Sequence, residues 1–258
     1  VPPGEDWPDQ GTIQRGNATC LVCGTAIPSS EIQRQAKEGK WGERLLAVIQ
    51  VSDEKSGKDY RVASAEDVEV FNRANAKLGV LKQGESPFGE LPVIPNEPIP
   101  YEPRAFTPCI YGFREWGQLF NPRQALALVT FAKWVREAHA EMLRQGVDEE
   151  LAKAVATYLG IGVNRLADRS SSLCRWDNTS ESLMNTFTRQ ALPMVWDFAE
   201  SSPFSEQTGG WSSALDWILR VIEHSANVFS LKASVHRGTA THLPFPDGYF
   251  DAVVTDPP

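Results

Sequence analysis

Nowhere does this sequence hold an apolar run of about 18 residues, the length a membrane-spanning helix needs, so no span is expected. The opening residues Val1-Pro2-Pro3-Gly4-Glu5-Asp6 lack the charged start and apolar core of a secretory signal, and position 1 is not methionine. Both ends read as cut, which leads us to expect an internal fragment of a cytoplasmic protein. Cysteine is scarce: Cys20 and Cys23 stand together, whereas Cys109 and Cys174 are isolated. No two histidines have metal-ligand spacing, no internal repeat is visible, and no acidic-x-Gly-x-Gly turn follows a strand pattern. There is no basic excess either. A net charge of −8 excludes a surface given over throughout to phosphate binding.

What is present is an ordinary globular composition, 41% hydrophobic and 22% charged over 258 residues, enough for one large domain or two smaller ones. After a polar start, Gly16-Asn-Ala-Thr-Cys20-Leu-Val-Cys23-Gly24 has the form of a zinc knuckle. Two thiolates at this spacing reach one metal, and Gly24 permits the tight turn beneath them. Four ligands are needed and two are here, so Cys20 and Cys23 form half a site. A redox pair or two plain thiols are the alternatives. A helix is expected over 29–39, strands over 43–51 and 59–63, and a helix capped by Ser64 and running to about Leu78. Residues 1–79 thus read as a zinc-ribbon-like α+β module. Between Arg15 and Arg61 eight basic residues face six acidic ones, a surplus of two that solvated charge explains.

Residues 80–108 carry Pro87, Pro92, Pro95, Pro98, Pro100, Pro103 and Pro108 and read as a linker or an extended wrapping segment. A mainly helical region follows over 109–230. Asn121 caps a helix with Pro122 at its first position, running to Arg144, and Asp148 caps the next. On the first of these, His139 reads as a structural or surface histidine rather than a base. Arg165, Arg169, Arg175 and Arg189, interleaved with Trp176, Asn178 and hydroxyl residues, are candidate nucleic-acid contacts or an ordinary polar loop. Trp211, Leu215, Ile218 and Ile222 recur at helical spacing over 211–228.

The last segment, 231–258, holds two strand candidates, 231–235 and 252–255. The second is apolar and β-branched, like a strand buried in a parallel sheet, and it stops at Asp256-Pro257-Pro258. Upstream, Pro246-Asp247-Gly248 reads as a tight turn between Leu243/Phe245 and Tyr249/Phe250.

The run from Leu243 through Leu-Pro-Phe-x-Asp-x-x-Phe-Asp to Asp256-Pro257-Pro258 resembles the catalytic motif of DNA amino-methyltransferases that use S-adenosylmethionine (SAM). The cysteine stretch, Tyr111-Gly-x-x-x-Trp116-Gly-x-Leu-Phe-x-Pro122-Arg-Gln and the Arg189–Phe198 region resemble adenine-specific DNA methylases with an inserted zinc ribbon. These are often found among genome-defence and modification genes. The resemblance implies an α/β fold, part of a Rossmann-like methyltransferase, with DNA as partner and SAM and zinc as cofactors. It implies that Asp256 and the Pro257 carbonyl accept the hydrogens of an exocyclic amine, with Pro258 holding the turn. An aryl amine is a poor nucleophile, and holding both hydrogens frees its lone pair. The family's next aromatic, which would stack on a flipped base, falls beyond Pro258. RNA or a protein amide are alternative substrates, since the turn suits any planar amine. A non-catalytic zinc-containing nucleic-acid-binding module is the rival of another class.

Overall fold

The computed structural model describes residues 12–14, 16–20, 22–51, 57–228, 233–239 and 241–255. Strands β1 (Ile13–Gln14), β2 (Asn17–Thr19) and β3 (Ala26–Ile27) form a small antiparallel sheet in that order. Helix α1 (Ser29–Lys37) leaves it at once, its first N–H held by the Asn17 side chain at 3.0 Å. Strands β4 (Ala47–Val51) and β5 (Lys58–Val62) pair in antiparallel register, Ile49 opposite Tyr60. Helix α2 (Ala65–Gln83) opens on a capping box in which Ser64 and Asp67 bond each other's backbone N–H. It outruns the expected end at Leu78, because Gly79 costs a helix only about 1 kcal/mol and the register continues through Val80 and Leu81.

Helix α3 (Pro122–Arg144) begins on a second capping box, Asn121 with Gln124, and α4 (Glu149–Asp168) on Asp148, which accepts from Leu151 N–H at 3.0 Å. Residues 145–148 join them in a helical hairpin. A two-stranded pair, β6 (Trp176–Asp177) and β7 (Ser182–Leu183), and helix α5 (Trp211–Val228) complete the described elements.

The chain falls into two compact units, 1–219 and 220–258. In the first, the core gathers Ala36, Ile99, Tyr111, Phe113, Leu119, Leu173 and Leu192 around two short 3-10 turns, Thr107–Tyr111 and Trp116–Leu119. Two of the stretches that carry the family resemblance meet here. Leu192 N–H bonds the Ala105 carbonyl at 2.6 Å, Thr107 N–H bonds the Leu192 carbonyl at 3.1 Å, and Trp196 meets Tyr111 edge-on at 5.1 Å. The proline-rich segment is no free spacer. Ile99 N–H bonds the Arg114 carbonyl at 2.7 Å, and Val93 and Ile99 are buried. Gly117 lies so close to Ile94 and the Pro95 carbonyl that a Cβ there would collide with both.

The fold is mixed α and β, but its sheets are small and antiparallel, and the described residues build no parallel Rossmann-like sheet. In the second unit, 252–255 and the described part of 231–235 are not in a ladder. A buried parallel strand needs hydrogen-bonded neighbours and covered faces, and these residues have neither: Val254 is 96% exposed.

Candidate functional site

Three places hold the residues singled out in the sequence. The first is the knuckle between β2 and β3. Cys20 N–H bonds the Thr25 carbonyl, Gly24 N–H bonds the Cys20 carbonyl, both at 2.9 Å, and Gly24 takes a left-handed φ of 70°. Both thiols therefore sit on one tight turn, Cys23 exposed and Cys20 half-buried. The Cys23 thiol is 3.2 Å from the Thr25 hydroxyl, and that contact, then Thr25's backbone and the Cys20 side chain, lowers its pKa. Cys109 and Cys174 are buried elsewhere, and among the described residues no group of three or more His, Cys, Asp or Glu is placed to hold a metal. A tetrahedral zinc site takes four donors, and the two thiols of this turn would be two of them.

The second place is a cleft of about 160 Å³ lined by Arg165, Arg169, Thr208, Gly209, Gly210, Ser213, Ala214 and Trp217. Arg165 lies in the last turn of α4 and Arg169 is the cap residue just past its end, four positions on. Arg165 is exposed, its guanidinium 5.9 Å from the centre of the Trp217 ring. Arg169 is half-buried and anchored by donating from Nη1 to the Leu183 carbonyl at 3.0 Å. Neither forms an ion pair with a carboxylate among the described residues. The adjacent Asp168 is turned away, accepting from Asn185 Nδ2 at 3.0 Å and Phe187 N–H at 2.9 Å.

Of the four arginines named together in the sequence, the structure unites only these two. Arg175 is exposed beside β6, where its charge helps lower the Asp177 carboxyl after the Ser180 and Thr179 hydrogen bonds. Arg189 is exposed on a separate loop. Thr208, Ser213 and Trp217 were not legible as partners; the one signal was Gly209-Gly210 ahead of a helix with hydroxyls in its first turn. A broader open groove of about 720 Å³ lies between α3 and α4, with Lys133, Arg136, Lys153 and Glu137 on its walls and His139 half-buried among them.

The third place is the turn that precedes the Asp-Pro-Pro tripeptide, within the second unit. Tyr249 N–H bonds the Pro246 carbonyl at 3.3 Å, and Gly248 has a φ of 73°, as a tight turn requires. Phe245 is its hub. It stacks on Tyr249 at 5.0 Å, meets Phe250 edge-on at 4.8 Å, and takes His236 at 5.6 Å. Asp256, Pro257 and Pro258 themselves lie outside the described residues.

No protein-family model, curated protein or solved structure matches the chain. Among the described residues no helix is long and apolar enough to cross a membrane.

Proposed function

We propose that this chain carries the amine-holding turn of a SAM-dependent methyltransferase that acts on the exocyclic nitrogen of adenine or cytosine in DNA, in the cytoplasm. The run Leu243–Pro258 carries the reading: an aromatic-braced turn, an apolar β-branched segment and Asp256-Pro257-Pro258. The Phe245, Tyr249 and Phe250 cluster supports it, because those rings pack on one another across the turn a few residues upstream of Asp256. A carboxylate at Asp256 and the carbonyl of Pro257 accept the two amine hydrogens, and the pair Pro257-Pro258 ends the strand pattern at that point. That directs the nitrogen lone pair outward from the ring plane. SAM would supply the methyl group as an electrophilic carbon on a sulfonium. The described residues contain no glycine-rich turn that fits it, so the roles assigned here concern the amine alone.

The test is Asp256→Ala in the protein as it occurs, assayed with labelled SAM and DNA. Methyl transfer is expected to vanish while SAM affinity stays within a few-fold, since the carboxylate meets the amine and not the cofactor. Full activity would remove Asp256 from the mechanism. The knuckle at Cys20 and Cys23 favours one second reading, a non-catalytic zinc-containing nucleic-acid-binding module. DNA binding without any methyl transfer in the unmutated protein would select it.

A further inference from the structure

The Arg165/Arg169 cleft has a composition that the amine-holding turn does not explain. Two guanidiniums without carboxylate partners among the described residues face one small space on a chain of net charge −8. The hydroxyls of Thr208 and Ser213 open on the same space and make no hydrogen bond among the described residues. Like charges one helical turn apart repel each other, and both gain when an anion is placed between them. The cleft, at about 160 Å³, equals roughly five waters of liquid volume, room for a phosphate group but not for a nucleoside. Trp217, another lining residue, is 55% exposed, with the Arg165 guanidinium over its ring. An exposed indole next to a cationic cleft offers a base a stacking surface at the distance of its own phosphate.

From this we infer that the cleft is a phosphate-and-base subsite for an unpaired nucleotide. The phosphodiester sits between Arg165 and Arg169, where the Thr208 and Ser213 hydroxyls donate to its oxygens, and the base stacks on Trp217. Arg169 is held by its bond to the Leu183 carbonyl, which orients the fork, and Arg165 lies over the Trp217 ring. Stacking needs an exposed ring face, so the site selects single-stranded or locally unpaired DNA over duplex. The choice of DNA as the polymer rests on the methyltransferase reading; the phosphate-and-base chemistry does not.

The experiment is fluorescence anisotropy of a labelled 12-residue oligothymidylate, titrated with the whole chain across a salt series. Arg165→Gln is expected to weaken binding and to reduce the slope of log affinity against log salt by about 0.7, the share of one phosphate contact on a single strand. Trp217→Ala is expected to weaken binding by about tenfold with the salt slope unchanged, because stacking releases no counterions. Ser213→Glu puts a carboxylate in the cleft at a position in the first turn of α5 where an acidic residue favours the helix, so binding falls while the thermal melt does not. A duplex of the same length is expected to bind more weakly than the oligothymidylate. Unchanged affinity and salt slope in Arg165→Gln and Ser213→Glu, or competition by inorganic phosphate at equal concentration with no effect of Trp217→Ala, overturns the assignment. The readout is binding and the Asp256 test reads methyl transfer, so either proposal can fail alone.

Discussion

Glu31 shows what a single exposed side chain can do to the pH response of this protein. Arg34 donates to both of its oxygens, at 2.8 and 2.6 Å, and Gln35 to one of them at 2.7 Å. Those bonds, Arg34's first, hold the carboxyl at about 2 instead of its ordinary 4.5. A carboxyl whose folded pKa is depressed contributes stability that is present above the unfolded pKa and is lost as pH falls through the folded one. The window therefore runs from about 4.5 down to about 2. Glu31→Gln is expected to flatten the acid limb of a thermal-stability profile in that window and to leave the profile above pH 6 nearly parallel. The contribution is small, since Arg34 and Glu31 are both in contact with solvent. An acid limb as steep in the variant as in the unmutated chain would assign the pair no role. Asp256 belongs to the same scale, and its replacement by alanine is the residue-level test of chemistry: turnover lost, cofactor affinity kept.

Elements whose ends are written locally were legible in the sequence. The bounds of α3 and α5 agree with the expected 122–144 and 211–228, because a cap with proline at the first position, or a glycine pair before an apolar period, is a signal within a few residues. The α4 cap at Asp148 was equally readable. The short pairs β1–β2 and β6–β7 were not, since strands of two or three residues are too short to show an alternating pattern, and neither were the two 3-10 turns, whose surroundings come from distant parts of the chain. The proline-rich segment makes the same point from the other side. Its composition leaves a linker and an extended wrapping segment equally open, and what packs it is Gly117, whose lack of a side chain admits Ile94 and the Pro95 backbone. Gly117→Ala forces those apart and is expected to cost about 1–3 kcal/mol, the usual range for an overpacked core. Urea unfolding measures it, and a loss below about 0.5 kcal/mol would mean that the segment yields without cost. Of the candidate site, Arg165 and Arg169 were named in the sequence, but only as two of four arginines in one polar stretch, because nothing local set them apart from Arg175 and Arg189. Their partners were not legible, since Thr208, Ser213 and Trp217 reach them only through tertiary packing.

At the scale of the whole molecule, much large apolar side-chain surface is open to solvent. Val253 and Val254 are 69% and 96% exposed, with Tyr249 and Phe250 also open to solvent nearby in sequence. Contiguous apolar residues left in water favour association. The chain is expected to self-associate as its concentration rises, and Val254→Asp is expected to shift the species toward monomer. Sedimentation velocity on both proteins decides this. Identical distributions would place the contact elsewhere, and a single monomeric species in both would remove it. The rival forces are of different range. The net charge of −8 repels at a distance and is screened by salt, while the apolar contact is not, so added salt is expected to promote association.

The core around Tyr111 has a kinetic consequence. Its members come from Ile32 at one extreme to Met194 at the other, so closing it brings together segments separated by most of the first unit. The α3–α4 hairpin, by contrast, joins neighbours across a four-residue connection and closes almost no loop. Loop closure is an entropy charged before distant contacts return anything, so local structure runs ahead of long-range structure during refolding. A newly made chain therefore has its hairpin long before residues 189–198 arrive to seal the space beside Tyr111. During that interval the side of Tyr111 that Trp196 covers in the finished fold lacks its partner, so the time a ribosome takes to reach Trp196 is a time of added exposure to wrong partners.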